Sequence, residues 1–418
     1  MEIISKTYRS NMDKLDVATI EILDEYSKEM RAELDAILSY WKKNTCDNIN
    51  GGFVGRIDEN NRSYPDAPKG SVLNSRILWA FSSSYALTKK EEHLHLARVA
   101  YNYIVAHFID KDYGGIYWLL NAKGKPLDAK KQIYALAFAI YGCSAYYTAS
   151  KNEAAKKTAI DLFKMVEQYS FDETYFGYLD AFTRDWKTLE DLRLSEKDAN
   201  EKKTMNTHLH VLEAYTALYR IWPDVVLKDK IILLIKNFFD HIITSNTHHL
   251  VLFFDEQWNP KSNTISYGHD IEAAWLLLEA AEATAELSII MIAKDFAIKI
   301  AASVLEGLDK DGGLWYEYEP AINHFIKEKH SWVQAEAMIG FFNAWQLTGN
   351  KLYLDKSLQA WKYIKQFIKD HLYGEWYWGR NEDGTIMERQ DKAGIWKCPY
   401  HNSRACIEII SRIAVIKT

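Results

Sequence analysis

Cysteine, proline and long apolar runs are all scarce in this chain of 418 residues. The four cysteines are scattered, and Cys398 and Cys406 lie eight residues apart, a spacing that fits no zinc site. We therefore expect reduced thiols in the cytoplasm rather than a disulfide framework. No apolar run reaches membrane-spanning length, and residues 1–14 lack the apolar core of a secretory leader.

Positive charge is also in short supply. The formal net charge is -6, and no basic stripe is interleaved with aromatic residues. This balance argues against nucleic acid as the main partner. What the chain has in abundance is aromatic side chains, with 14 Trp and 26 Tyr. Such residues either fill a core or form the apolar platforms on which sugar rings rest, and composition alone does not separate these two uses.

A signature of glycine and aromatic residues recurs along the chain with a period of about 60 residues. It begins near residues 51, 114, 177, 251, 312 and 374, as in "NGGFVGR" and "DGGLWYEYE". Each signature is typical of a short hairpin with glycine at tight backbone positions. The intervals between signatures have apolar residues at helical spacing. The predicted helices are Leu15–Lys43, 70–87, 91–109, 129–149, 153–170, 204–221, 225–244, 269–286, 289–307, 331–348, 351–369 and 400–416.

Twelve helices joined by aromatic hairpins predict an all-α, closed (α/α)6 barrel with short β-hairpins in the loops at one end. The alternative is an open solenoid, which needs end caps with a polar outer face. The final helix is too apolar for a cap, so we favour the closed barrel, as a single catalytic domain over residues 1–418 and a monomer. The polar stretch 183–203 is the main irregularity and predicts a loop or lid over one end.

Two histidines lie close together in "MNTHLHVLEAY". Asn206 and His210 are four residues apart and share one face of the predicted helix, whereas His208 shares its side with Leu212 and Tyr215. His210 therefore has a polar neighbour and His208 has apolar neighbours. Taken alone, the pattern favours a structural role for either histidine.

A second candidate pair lies in "SYGHDIEAAW". His269 and Glu272 are three residues apart near a predicted helix start, so that they can touch. A carboxylate that fixes an imidazole raises its basicity and sets its tautomer. Metal ligation is the rival interpretation, but a bundle metal site would need a second such motif and further carboxylates, which we do not find. We therefore expect no metal, and a purely structural pair remains open.

The third histidine lies in "IWKCPYHNSRAC". Pro399 marks a helix start and His401 lies in the first turn, where the helix dipole favours the neutral imidazole. A neutral imidazole near pH 7 is a competent base, and Trp396 could stack against a sugar; capping of the helix without chemistry is the alternative. No phosphate-binding glycine loop accompanies these histidines, because the Gly-Gly pairs lie in hairpins. Together they suggest proton abstraction next to a carbonyl.

Four blocks of the sequence, in this order, resemble the cellobiose 2-epimerases of the N-acylglucosamine 2-epimerase superfamily, which has the (α/α)6 fold. The blocks are "LNSRILWAFS" (73–82), "MNTHLHVLEAYTALYR" (205–220), "SYGHDIEAAWLL" (266–277) and "WKCPYHNSRACIEII" (396–410). The resemblance implies an isomerase without a cofactor that inverts C2 of the reducing-end glucose of a β-1,4-linked disaccharide. Cellobiose would become glucosyl-mannose, and lactose would become epilactose.

The resemblance also implies residue roles. His210 and His401 are the two bases on opposite sides of C2, His269 with Glu272 opens the sugar ring, and Arg56 stabilises the developing oxyanion. The residues expected to hold the sugar are Asn206, Tyr117, Trp332 and Trp396. His208 resembles a packing residue. The chain departs from the family at Ser331, where the first of two tryptophans before "VQAEA" is expected.

Other functions remain open at this point. The same enediolate serves a monosaccharide 2-epimerase or an aldose–ketose isomerase acting on mannose or glucose. An (α/α)6 glycoside hydrolase would need two carboxylates on either side of the bond, for which Glu272 and Glu336 are candidates, but would leave the histidines without a purpose. A barrel that only binds carbohydrate needs the aromatic residues but not the three histidines.

Overall fold

The computed structural model describes residues 15–417, and helices dominate this part of the chain. Inner and outer helices alternate along it, as the hydrophobic periodicity predicts. The described residues contain twelve α-helices: α1 (Val17–Asn44), α2 (Ser71–Thr88), α3 (Glu91–Tyr103), α4 (Ile133–Ser150), α5 (Glu153–Tyr169), α6 (Met205–Ile221), α7 (Val225–Asn237), α8 (Tyr267–Thr284), α9 (Leu287–Val304), α10 (Ser331–Thr348), α11 (Lys351–Tyr363) and α12 (His401–Lys417).

The even-numbered helices form a closed inner ring. Each of α2, α4, α6, α8 and α10 contacts the next even-numbered helix, and α12 returns to contact α2. The odd-numbered helices pack outside them. The predicted closed barrel is therefore confirmed, and the open solenoid is wrong. The inner helices are buried almost all round, as α4 and α10 show, whereas the outer helices bury one face.

A two-residue strand lies immediately before each of α2, α4, α6, α8 and α10, and these strands pair antiparallel with others at one end of the barrel. Their bounds are β1 (Lys69–Gly70), β2 (Leu119–Leu120), β3 (Pro126–Asp128), β4 (Lys131–Gln132), β5 (Ala181–Phe182), β6 (Lys203–Thr204), β7 (Phe253–Phe254), β8 (Ile265–Ser266), β9 (Glu317–Glu319), β10 (His324–Ile326), β11 (Lys329–His330) and β12 (Gly379–Arg380). The strands pair as β1-β2-β3, β4-β5, β6-β7, β8-β9-β10 and β11-β12. In one of these pairs Lys131 lies opposite Phe182.

An ion pair between a buried lysine and an aspartate recurs at this end of the barrel. In each case a lysine reaches back to the aspartate that caps the turn. The pairs in the described chain are Lys69–Asp47, Lys131–Asp110, Lys203–Asp172, Lys329–Asp309 and Lys392–Asp370. The fourth signature has Thr244 and Ile265 at the matching positions, so that both charges are absent together. This is the expected pattern, because a buried charge without its partner is costly.

No helix within residues 15–417 has the length and apolar character to span a bilayer. The expectation about a leader concerns residues 1–14, which lie outside the described residues. The stretch 183–203 contains no helix and enters β6 at Lys203, in agreement with the predicted loop.

Candidate active site

A cavity of about 510 Å³ opens at the hairpin end of the barrel. The first turns of the inner helices line it, which brings together residues far apart in the sequence. His210, His269 and His401 all line this cavity, together with Arg76 and Glu272. The three histidines that the sequence singled out therefore share one site.

His210 and His208 point in different directions from α6, as the helical geometry predicts. The Nδ1–H of His210 donates to Glu213 Oε2 over 2.9 Å, a carboxylate that the sequence reasoning missed. His208 is fully buried: its Nδ1–H donates to the Thr204 carbonyl at 2.7 Å, and its Nε2 accepts from the Tyr178 N–H at 2.9 Å. Burial lowers the pKa of His208 to about 3. His208 is thus a neutral group with both nitrogens occupied.

His401 is the first residue of α12, two positions after the proline that the sequence analysis took as the start. Its Nδ1–H donates to Glu336 Oε1 over 2.7 Å. Burial lowers the pKa of His401 well below its usual value, and the nearby cations Arg76 and Arg404 lower it further. The imidazole therefore presents a neutral Nε2. The sequence alone suggests Glu336 only as a hydrolase acid, whereas the structure shows that it orients a histidine.

His269 and Glu272 both line the cavity, but the structure shows no hydrogen bond between them. The Nδ1 of His269 is hydrogen bonded to Ser266 Oγ at 2.8 Å, and Glu272 accepts instead from Arg404. Burial lowers the pKa of His269 to about 4. Three-residue spacing allows contact between two side chains on a helix, but a buried arginine from a third segment competes for the carboxylate.

Arg404 is the residue that sequence reasoning missed most completely. Its guanidinium is 1% exposed and donates to Glu213, Glu272 and Glu336. The bond from Arg404 Nη2 to Glu336 Oε1 is 2.7 Å long. Burial opposes ionisation of Glu213, but the Arg404 charge and bonds from His210 and Tyr400 lower the pKa of this carboxyl to about 2. The sequence feature that could have indicated Arg404 is a charged residue among the apolar residues of α12.

Arg76, and not the expected Arg56, is the arginine among the described residues that line the cavity, alongside Lys197 and Lys397. Arg56 pairs with Asp391 at 2.8 Å, its side chain is 42% exposed, and it is absent from the described residues that line the cavity. Arg76 is buried, lines the cavity and donates to the Tyr134 hydroxyl at 2.7 Å. The sequence indicates this residue in the block 73–82, where Arg76 interrupts an otherwise apolar helix.

The aromatic walls agree with part of the predicted sugar site. Trp332 and Trp396 both line the cavity, and the Trp332 ring lies 4.8 Å from His269 and 5.6 Å from His401. Tyr117 is a correction: it is buried outside the described lining residues, and its hydroxyl accepts from Arg184.

Two polar features complete the lining. Asn206 lies at the cavity wall, and its Oδ1 is a buried acceptor without a donor among the described residues. Ser331 occupies the cavity wall next to Trp332. The loop residues Leu194–Asp198 also line the cavity, so that part of the stretch 183–203 covers the site.

Three of the side chains could in principle hold a metal ion. Glu272, Glu336 and His401 offer ligand atoms within 4.8 Å of one another. Arg404 already donates to both carboxylates and supplies the positive charge that a cation would bring. The cluster is accounted for as an ion-pair network.

Comparison with known proteins identifies the family. The sequence profile of the N-acylglucosamine 2-epimerase (GlcNAc 2-epimerase) family matches residues 51–405. The chain belongs to this family. Among family members, it is 47% identical to the cellobiose 2-epimerase of Bacteroides fragilis over 93% of this chain and 100% of that protein. It is 38% identical to the cellobiose 2-epimerase of Dictyoglomus turgidum over 90% and 96% of the two chains.

Comparison with solved structures finds the same kind of relative as the sequence comparison. The cellobiose 2-epimerase of Bacillus thermoamylovorans superimposes with a TM-score of 0.88 at 39% identity and covers 93% of this chain and 100% of that one. A family 76 glycoside hydrolase from Bacteroides thetaiotaomicron has a TM-score of 0.65 at 13% identity, covering 93% and 78% of the two chains. That second likeness concerns the fold alone.

Proposed function

We propose that this chain is a cellobiose 2-epimerase, an isomerase that reversibly inverts C2 of the reducing-end glucose of β-1,4-linked disaccharides. Cellobiose would become 4-O-β-glucosyl-mannose, and lactose would become epilactose. The observation that carries the proposal is a cavity containing two histidines, each oriented by a buried carboxylate: His210 by Glu213 and His401 by Glu336. The identity to cellobiose 2-epimerases over nearly the whole chain supports the same substrate.

Epimerisation at C2 needs one base on each face of the carbon. His210 and His401 are on α6 and α12, which are three helices apart in a ring of six and therefore opposite. One neutral imidazole takes the C2 proton, the electrons move into an enediolate, and the opposite imidazolium returns a proton to the other face. The number of protons in the site is unchanged. Nδ1–H bonds to carboxylates leave each Nε2 for this exchange.

The remaining polar groups have supporting roles in this proposal. His269, held by Ser266, moves the proton that opens the sugar ring. Arg76 replaces Arg56 as the fixed positive charge for the enediolate oxygen, because its guanidinium lines the cavity. Asn206 holds a sugar hydroxyl through its unpaired Oδ1, and Trp332 and Trp396 provide apolar faces for the sugar rings.

The alternatives differ in what they require of the site. A mannose or glucose 2-epimerase, or an isomerase giving a ketose, would use the same histidines. The chain is only 25% identical to the D-mannose isomerase of Marinomonas mediterranea, compared with 47% to the Bacteroides fragilis protein. A hydrolase needs a free carboxyl acid, whereas Glu272 and Glu336 are bonded to Arg404. The proposal keeps one catalytic domain without a cofactor, monomeric and cytoplasmic.

The test is a proton NMR time course of cellobiose with the protein in D2O. We expect a mannose-type reducing end to appear with deuterium at C2. If mannose or glucose exchanged its C2 proton for deuterium and cellobiose did not, the substrate would be a monosaccharide. Release of glucose from cellobiose would favour the hydrolase, and the absence of any exchange would overturn the histidine chemistry.

The same assay shows which histidine acts on which face of the C2 carbon. A variant that lacks one base should fail to exchange the C2 proton of one epimer while it still exchanges that of the other. We expect this split for His210→Ala and His401→Ala, in opposite senses. His269→Ala should slow the exchange of both epimers, because ring opening precedes proton removal. A face-selective loss in His269→Ala would reassign that residue as a base.

A further inference from the structure

The two candidate bases are joined through one buried guanidinium. From His210 the hydrogen bonds run to Glu213, then to Arg404, then to Glu336 and on to His401. The two ends of this path lie on opposite sides of the barrel axis. Arg404 also donates to Glu272 and to the Tyr400 hydroxyl, so that its charge is shared among three carboxylates.

The charges in this network do not cancel. Three carboxylates (Glu213, Glu272 and Glu336) accept from Arg404, and a second guanidinium, that of Arg76, lines the same cavity; the carboxylates and Arg404 are at most 4% exposed. The sum is a charge of -1, which burial makes expensive. One added proton brings the network to neutrality. Lys397 and Glu375, which lie beside Asn402 on α12, pair with each other at 2.7 Å and add no net charge.

The other groups packed against Arg404 are neutral. Tyr400 and Tyr134 are phenols whose pKa burial raises, and the Cys398 thiol beside Arg76 likewise has a raised pKa. The proton that balances the charge therefore belongs to the imidazoles and carboxylates. Burial raises the pKa of the Glu336 carboxyl, against the opposing charge of Arg404.

We propose that Arg404 is a positioning residue that fixes the proton content of the site at one, shared between the two histidine–carboxylate pairs. This rests on the proposed epimerase function. One proton is what a two-base epimerase needs: one side must be able to accept the C2 proton while the opposite side holds one to give. When a proton arrives on one imidazole, the carboxylate and guanidinium path makes protonation of the other less favourable, so that the roles exchange after each turnover.

The test is the pH dependence of kcat/KM for Arg404→Gln, Arg404→Lys and the double variant Arg404→Gln with Glu213→Gln. Loss of the positive charge should raise the pKa values of the network, because an opposite charge at contact distance shifts a pKa by about one unit or more. Both limbs of the bell-shaped profile should then move to higher pH by about one unit in Arg404→Gln. Arg404→Lys keeps the charge and should keep the limbs in place even if its rate falls. The double variant restores the balance and should move the limbs back toward those of the wild type.

A matched control lies two turns further along the same helix. Arg412 is also over the Trp275 ring, at 5.8 Å compared with 4.9 Å for Arg404, and it donates to Glu408, Asn343 and Gln346. Arg412→Gln should leave both limbs unmoved. A loss of rate in Arg404→Gln with unmoved limbs would reduce Arg404 to a structural role and overturn the proposal.

A second measurement uses the wild-type protein and no substrate. Nitrogen-15 NMR of labelled histidines counts the protons on His210 and His401 across the pH range of activity. We expect the two imidazoles never to be charged together within that range. Independent titration of both, each with an ordinary histidine pKa, would overturn the shared proton. Because this experiment needs no sugar, its outcome stands apart from whether cellobiose is the substrate.

Discussion

Alanine at position 208 and alanine at position 210 should have opposite consequences, although the two residues are neighbours on α6. His208 is fully buried and uses both ring nitrogens to hold the Thr204 carbonyl and the Tyr178 N–H. His210 lines the cavity and bonds to Glu213. His208→Ala should therefore reduce stability, and His210→Ala should reduce activity.

The stability cost of His208→Ala can be worked from these contacts. The Tyr178 N–H is left buried and unpaired, which costs about 1–3 kcal/mol. The Thr204 carbonyl loses one of its donors, and removal of the ring leaves a cavity that costs about 2 kcal/mol more. The total is about 3–5 kcal/mol of unfolding free energy.

His210→Ala should cost little stability and much activity. The ring faces an open cavity, and Glu213 keeps its bonds to Arg404 and Tyr400. We expect a loss of only about 1–2 kcal/mol of stability, from one hydrogen bond to a charged group. The epimerisation rate should fall by about 10²–10⁴, the contribution of a positioned general base.

Urea unfolding and the NMR assay on cellobiose, applied to both variants, measure the two effects. The folded fraction of His208→Ala, measured at a temperature where it remains native, should keep most of the wild-type kcat. If His208→Ala proved as stable as the wild type but inactive, the division of roles between the two histidines would be refuted. Equal losses of activity in the two folded variants would refute it as well.

Four further outcomes are expected. Arg76→Ala should lower kcat/KM by about 10² or more, whereas Arg56→Ala should leave it nearly unchanged, and the reverse order would restore the original assignment. Asp110→Ala should destabilise the fold by about 3–5 kcal/mol in urea unfolding, because Lys131 would remain buried without its partner; a loss below 1 kcal/mol would contradict this. Activity should fall on the acid side below pH 6.5, because burial lowers the pKa of His401 and its neutral form is required; a fall already complete at pH 7 would argue against this base. EDTA should leave the rate unchanged, since Arg404 supplies the charge at the carboxylates, and strong inhibition would revive a metal site.

The sequence alone determined the architecture. The period of about 60 residues and the helical spacing of apolar residues are local patterns, so the twelve helices, their alternation and the hairpins could be predicted without tertiary information. The two-residue separation of His208 and His210 likewise decided that they face different directions, because side-chain direction on a helix follows from backbone geometry.

Only the tertiary structure decided which groups meet at the barrel axis. Glu213, Glu336 and Arg404 come from three inner helices, and nothing local in the chain indicates that they bond to one another. The same closure brings Arg76 to the cavity wall, whereas Arg56 pairs with Asp391 and is not among the described residues that line the cavity. A pattern along the chain determines which face of a helix is buried, but the partner of a buried charge depends on how the ring of helices closes, and that is settled by packing between distant segments.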